Sequence, residues 1–270
     1  MKGIILAGGS GKRLYPLTRK KSKQMLPIAG LPMIFYPLNT LLSAGIKEIA
    51  IVVSSAHAGE FMTLLDPMLR FIDVDISWQV QEEPLGIPEA FIICRGFIGT
   101  DDVTLILGDN IFGDIPTITK VIKNFKGGGH ILAKKSLHPN RFGVVILDNN
   151  GDVLDIIEKP LQWISDFVIP GLYTFDANVT EIAMTLTASK RGELEITEVH
   201  NAYLRDNQLS VTQLAEDSVW MDAGTHKSYA RATDIVRDNT LLQNFHTPLV
   251  DAINQFAPYE NFDFHKVLCY

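Results

Sequence analysis

Short runs of β-branched and aliphatic residues recur along this chain with helix-length segments between them, and this alternation constrains the fold more than any other feature. The runs are Gly3–Ala7, Glu48–Ser54, Asp75–Val80, Val103–Leu107 and His130–Ala133. Near-continuous apolar strands separated by helices indicate a mostly parallel sheet covered on both faces. The predicted class is α/β. With 46% apolar and 20% charged residues, the 270-residue chain can bury a large core.

Between the first two strands, Pro32 to Ala44 carries Met33, Ile34, Tyr36, Leu38, Leu41 and Leu42 at helical spacing, with Pro32 suited to the first turn and Gly45 to the stop. In the middle of the chain, Phe142 to Leu147, an Asn149-Asn150-Gly151-Asp152 turn and Val153 to Ile157 read as a hairpin, so an antiparallel insertion should follow the parallel portion. Past Ala230 the pattern is a helix to about Leu242. We expect a catalytic domain over residues 1–240 and a tail over 241–270, whose role composition does not settle.

The formal net charge of −7 argues against general binding to nucleic acid or to a membrane surface, which requires an extended positive field. No stretch approaches the ~20 uninterrupted apolar residues of a membrane span. The two cysteines, Cys94 and Cys269, make neither a disulfide framework nor a paired-cysteine zinc signature. A reducing, cytoplasmic setting fits.

Positive charge is nevertheless concentrated in one place. Leu6-Ala7-Gly8-Gly9-Ser10-Gly11-Lys12-Arg13 directly follows the first predicted strand, where glycines let backbone N–H groups approach phosphate oxygens. A Walker A loop would need glycine at Leu6 and Ser or Thr at Arg13. The dinucleotide fingerprint would need glycine at Leu14. Lys12, Arg13, Arg19, Lys20, Lys21 and Lys23 put six cations within twelve residues. Arg19 to Lys21 read as a solvated face, whereas Leu14 to Pro16 and Met25 to Pro27 look like packed anchors that direct Arg13 and Lys23.

Two aspartates attract notice. Asp109 follows Val103 to Leu107, at the carboxyl end of a parallel strand, where ligands bind in open α/β sheets. Its hard oxygens suit Mg²⁺, which takes one or two carboxylates plus substrate phosphates; a turn or helix-cap role is the alternative. Asp222, in Trp220-Met221-Asp222-Ala223-Gly224-Thr225-His226, reads by itself as an ordinary turn residue.

Taken in order, Gly8-Gly9-Ser10-Gly11-x-Arg13-Leu14-x-Pro16-Leu17-Thr18, Lys23-Gln24-Met25-Leu26-Pro27, Leu107-Gly108-Asp109-Asn110 and Trp220-x-Asp222-x-Gly224-Thr225-His226 resemble the signature of the sugar-1-phosphate nucleotidyltransferases, and within them the glucose-1-phosphate thymidylyltransferases. The resemblance runs over about residues 1–235. It implies a Rossmann-like sheet with a smaller antiparallel sugar-binding insertion. It implies Arg13 and Lys23 on the triphosphate, a Mg²⁺ pair of Asp109 and Asp222, and a nucleotide site reaching from Leu6 through Gly8, Gly9 and Gly11. Gln81 would read the pyrimidine edge and Gly86 would let the base lie against backbone. On the acceptor side it implies Gly143, Glu158, Lys159 and Ile169, with Lys159 on the sugar phosphate and Glu193 a further sugar contact. Several positions depart from the family: Lys12 replaces a usual Thr, Phe142 a frequent Tyr, and Leu85, Pro88 and Glu89 replace residues more often Asp, Ala and Gln. The tail does not resemble the C-terminal helices of longer members.

The reading is a Mg²⁺-dependent enzyme joining a nucleoside triphosphate, dTTP favoured and UTP next, to a sugar 1-phosphate, glucose 1-phosphate favoured. The product would be a nucleotide sugar such as dTDP-glucose, made by a homo-oligomer with no nucleic-acid or membrane partner. A sugar phosphate is already an anionic nucleophile, so no histidine base is required, and His57, His200 and His226 read as structural. A non-catalytic nucleotide-sugar sensor on the same fold is the rival. A nucleotide-sugar glycosyltransferase is a third option, disfavoured because Gly108-Asp109-Asn110 is not an Asp-x-Asp motif.

Overall fold

The computed structural model describes residues 1–9, 11–238 and 246–256. The chain begins with β1 (Lys2–Leu6), two 3-10 turns at Lys12–Leu14 and Lys23–Met25, the small hairpin β2 (Pro27–Ile28) and β3 (Leu31–Pro32), and α1 (Phe35–Ser43). Then come β4 (Glu48–Val53), α2 (Ala58–Leu69), β5 (Asp75–Val80), α3 (Glu89–Ile93), α4 (Arg95–Ile98), β6 (Val103–Leu107), β7 (Asn110–Phe112) and α5 (Ile115–Lys123). The second half holds β8 (Gly129–Lys135), β9 (Gly143–Leu147), β10 (Val153–Glu158), β11 (Phe167–Val168), β12 (Leu172–Phe175), α6 (Val179–Thr185), α7 (Ile196–Arg205), β13 (Leu209–Gln213), β14 (Trp220–Asp222), α8 (His226–Asp238) and α9 (Thr247–Phe256).

Ten strands form one sheet in the order β10-β9-β11-β8-β12-β6-β1-β4-β5, with β13 alongside β8. The block β6-β1-β4-β5 is parallel, as the apolar runs required. Alternating strand residues feed two cores on opposite faces. Ile5, Ile49, Ile51 and Ile106 pack under α1, α2 and α5, while Ile4, Ala50, Val52 and Leu105 pack under α3, α4, α6 and α7. The antiparallel hairpin β9–β10 is present. It joins the main sheet through β11 and β8, and β12 runs antiparallel to both β6 and β8.

From β1 the chain winds through β4 to β5 and then returns to β6 on the other side of β1. That reversal opens a crevice at the carboxyl ends of β1 and β6, the switch point where open α/β sheets bind ligands.

Helix α1 starts at Phe35, three residues later than the spacing suggested, because Pro32 belongs to β3 and pairs with Pro27. Met33 and Ile34 are fully buried, and their N–H groups donate to the Leu26 and Gln24 carbonyls, tying the lysine-bearing turn to the helix start. Gly45, at φ 84°, ends the helix as expected. The helix expected past Ala230 is α8, which begins earlier, at His226. Its expected continuation to Leu242, Ser10, Cys269 and residues 257–270 lie outside the described residues. α9 packs Leu249, Ala252 and Ile253 into the core beside α2, and the His246 N–H donates to Asn39 Oδ1 at 2.5 Å.

His200 on α7 is fully buried against the rings of Tyr173 and Phe175, and neither ring nitrogen has a hydrogen-bond partner among the described residues. Burial pushes its pKa down to about 3, and burial likewise lowers His130, held between the Ser210 and Thr212 hydroxyls, to about 4. A buried imidazole that stays neutral leaves the unfolded chain binding more protons below about pH 6.5. Stability is therefore full above that pH and lost as pH falls toward 3. Between pH 6.5 and 5, His200 alone should cost roughly 1.5 kcal/mol. Urea unfolding at the two pH values should show this loss, and the His200→Leu protein should show it reduced by about that amount. Equal losses in both proteins would refute the assignment.

Candidate functional site

The crevice is built from two loops that leave adjacent strands. The Ala7 N–H donates to the Val52 carbonyl as β1 ends, and the Gly108 N–H donates back to the Leu6 carbonyl. Gly11, at φ 62°, then turns the chain into the 3-10 segment carrying Lys12 and Arg13, where the fully buried Leu14 is the anchor. Tyr15 and Pro16, read as packed from the sequence, are exposed. Lys23 is held by its neighbours: Ser22 and Gln24 are buried, and the Ser22 hydroxyl donates to Gln24 Oε1 at 2.7 Å.

The Lys23 ammonium pairs with Asp109 Oδ2, and both side chains are largely withdrawn from solvent. Burial by itself would raise the Asp109 pKa. The Lys23 charge and hydrogen bond, a hydrogen bond from Asn110 and the Arg13 charge reverse this and hold Asp109 below the usual carboxylate range.

Asp222 is delivered by a different element. β14 pairs antiparallel with β7 and sets Asp222 opposite Asn110, while the Ala223 N–H donates to the Asp109 carbonyl at 2.9 Å. Asn110 pins this corner, since its Oδ1 accepts from Trp220 Nε1 at 2.7 Å and from the Gly171 N–H at 3.0 Å. The two carboxylates converge on Gly224. A Cβ there would lie 2.8 Å from Asp222 Oδ1, 3.1 Å from Asp109 Oδ2 and 3.2 Å from Arg13 Nη2. Burial and the Asp109 charge raise the Asp222 pKa, against a Gly224 N–H hydrogen bond and the Lys23 and Arg13 charges. The Asp109 charge disfavours ionised Asp222, a repulsion that further positive charge at this point would relieve. The donor set is two carboxylates, Asp109 and Asp222, meeting beside open clefts, which fits a hard divalent cation that takes one or two carboxylates and fills its shell from phosphates and water.

Two clefts meet at this corner. One, about 500 Å³, gathers Lys12, Arg13, Lys23, Lys159 and Arg191 around Gly9, Gly11 and Gly224. The other, about 190 Å³, is lined by Asp109, Gly143, Glu158, Ile169, Asp222 and the aromatic rings of Phe142, Tyr173 and Trp220. Arg13 and Lys159 line both. Lys159 takes a left-handed conformation at φ 40°, and Glu158 Oε1 accepts from its Nζ at 3.0 Å and from Arg191 Nη2 at 3.2 Å. Strain of this kind persists where surrounding contacts impose it. Glu193 lies in the cationic cleft, 3.9 Å from Arg191, and not in the cleft of Glu158 and Gly143.

Gln81 follows β5 and is buried, so it is not a solvent-facing strand residue. Its Oε1 faces the glycine loop so closely that a Cβ on Gly8 would lie 2.5 Å away. Gly86 sits at φ 122°, and a Cβ there would come within 2.2 Å of the Leu194 carbonyl oxygen. The close approach at Gly86 is thus to backbone of the segment that carries Arg191 and Glu193.

Sequence reasoning missed Arg191 and Arg141 as part of the site. Arg191 Nη2 touches Glu158 and pairs with Glu195, and Arg141 Nη2 lies 4.0 Å from Asp222 Oδ2. Both stand beside positions already singled out, Arg191 two residues before Glu193 and Arg141 next to Phe142, but a charged residue beside a turn carries no signal of direction. Trp220 stands within the quoted Trp220-x-Asp222 motif and Tyr173 four residues past Ile169, and only the fold turns their rings into the smaller cleft.

The nucleotidyl transferase family model matches residues 2–239. The glucose-1-phosphate thymidylyltransferase of Neisseria meningitidis serogroup A is 43% identical over 256 residues, covering 94% of this chain and 88% of the relative. That of Mycolicibacterium smegmatis is 44% identical, covering 90% and 84%. A crystal structure from Bacillus anthracis, described as a glucose-1-phosphate thymidylyltransferase in complex with a sucrose, superposes with TM-score 0.83 at 37% identity over 92% of this chain and 98% of that one. A UDP-glucose pyrophosphorylase complexed with UDP-glucose, 21% identical with TM-score 0.78, shares the fold. A family match over nearly all of the described residues, with relatives above 40% identity across most of the chain, identifies this protein as a nucleotidyltransferase of the nucleotidyl transferase family.

Proposed function

We propose that the protein transfers a nucleotidyl group from a nucleoside triphosphate, dTTP favoured and UTP next, to a sugar 1-phosphate, glucose 1-phosphate favoured, giving a nucleotide sugar and pyrophosphate. The observation that carries this is the junction of the two clefts: Arg13 and Lys159 line both the five-cation cleft and the smaller polar one. A triphosphate needs the first, a sugar needs the second, and the reaction joins a phosphate of each. The names of the relatives support the same pair of substrates.

The sugar phosphate oxygen attacks the α-phosphorus and pyrophosphate leaves in line. Because the nucleophile is already anionic, positioning and charge neutralisation carry the step. Lys159 orients the sugar phosphate, and Arg13 and Lys23 neutralise the triphosphate and the leaving group. Glu158, braced by Arg191, faces the sugar hydroxyls beside Gly143 and Ile169, while Gln81 reads the base. Asp109 and Asp222 would hold Mg²⁺, which supplies further positive charge to the phosphates when bound. His226 is occupied elsewhere, its Nε2 bonded to the Tyr15 carbonyl at 2.9 Å, which supports a structural role. We assign the catalytic domain to residues 1–240 and place it in a cytoplasmic homo-oligomer. No helix among the described residues is long and apolar enough to cross a membrane.

Pyrophosphate release, measured with Mg²⁺, glucose 1-phosphate and one triphosphate at a time, should proceed with dTTP and more weakly with UTP. Asp222→Asn should lower kcat/KM on the order of a thousandfold, ~4 kcal/mol, with little change in melting temperature. Silence with every triphosphate and sugar phosphate, or near-normal turnover in Asp222→Asn, would overturn the proposal. Lys159→Met should lower kcat/KM for the sugar phosphate about a hundredfold while leaving the Kd for dTTP within about threefold. An equal loss on both substrates would remove Lys159 from the acceptor side.

A further inference from the structure

Gln81 does not choose its own orientation. Its Nε2 donates to Glu89 Oε2 at 2.6 Å, and the same oxygen accepts from the Leu85 N–H at 3.0 Å, so the carboxylate is fixed against the loop as well. A carboxylate can only accept, which forbids the flipped amide, because that would set Gln81 Oε1 against Glu89 Oε2. With one Nε2 hydrogen committed to Glu89, the side chain offers one acceptor, Oε1, and one remaining N–H. Among the described residues no donor reaches Oε1, yet it is not sealed from solvent, and it faces Gly8 in the glycine loop.

We propose that Glu89 is the positioning residue that sets base specificity: by locking the Gln81 amide it selects pyrimidines carrying N3–H and a 4-oxo group, thymine and uracil, against cytosine. The inference rests on the reading of Gln81 as the base contact. Thymine and uracil present N3–H to Oε1 and an adjacent carbonyl to the free Nε2 hydrogen. Cytosine presents the N3 lone pair to Oε1 and an amino group to Nε2, two like-with-like contacts that only a flipped glutamine relieves. The flip is what Glu89 blocks. Rejection by unpaired or opposed polar groups is stronger than rejection by size.

The test uses dTTP and 5-methyl-dCTP, which differ only in the N3 and C4 substituents of the base. Their dissociation constants are measured by titration calorimetry with Mg²⁺ and no sugar phosphate, so turnover plays no part. The native protein should bind dTTP at least about a hundredfold more tightly. Glu89→Met, which lacks an acceptor, should shrink that ratio at least about tenfold, mainly by tightening 5-methyl-dCTP relative to dTTP. Glu89→Gln, whose amide can donate as well as accept and is oriented only by the Leu85 N–H, should fall between the native protein and Glu89→Met. If Glu89→Met weakens both nucleotides equally and leaves the ratio intact, Glu89 only braces the loop through the Leu85 N–H and the inference fails. Should Glu89→Met not fold, Glu89→Ala makes the same comparison. Gln81→Leu separates the two levels. A lost ratio there with an intact one in Glu89→Met sinks the lock alone, whereas an intact ratio in Gln81→Leu sinks the base-site reading with it.

Discussion

A buried anion beside the switch point organises this molecule. Asp109 is drawn into the crevice by the end of β6 and stays charged there because the Lys23 ammonium and the Asn110 amide meet it. An uncompensated carboxylate at such depth would be costly, so every element that supplies a partner is constrained by it. The turn at Lys23–Met25 is tied to the start of α1. The Asn110 side chain is bonded to Trp220 on β14. Through that ribbon a second carboxylate, Asp222, comes close enough for its proton affinity to respond to Asp109. The glycine loop closes over the same point with Arg13.

The consequence for chemistry is a graded charge field. One cleft is rich in cations, the other is polar and aromatic, and the paired aspartates lie where they meet. Such a layout suits the union of two phosphates better than proton abstraction, because groups of fixed charge stand where charge moves and, among the described residues, no histidine lines either cleft.

The parallel half of the fold was legible because its strands are short apolar runs that only a doubly covered sheet can bury, and Gly3–Ala7 or Val103–Leu107 could be read without tertiary knowledge. The start of α1 was not legible. Pro32 suits a first helical turn, but hydrogen bonds from Met33 and Ile34 to the lysine-bearing turn override that preference. β7 and β14 were invisible as strands, since each is three residues long and gains its pairing only from the other. Asp222 was consequently reachable through family resemblance and not through pattern. Arg191 and Glu89 carry their meaning in what they hold, Glu158 in one case and Gln81 in the other, and side-chain contacts made across a turn or across the fold leave no periodicity to read.

The account stands on Asp109 and Asp222 acting together at one cation. Electron paramagnetic resonance of Mn²⁺ titrated into the protein with bound dTTP tests this most directly. One tightly held Mn²⁺ per chain is predicted, with affinity reduced at least about tenfold when either aspartate is replaced by asparagine. Undiminished Mn²⁺ binding in Asp222→Asn would contradict it, leaving the convergence on Gly224 a feature of packing and the second carboxylate without a role in the metal site.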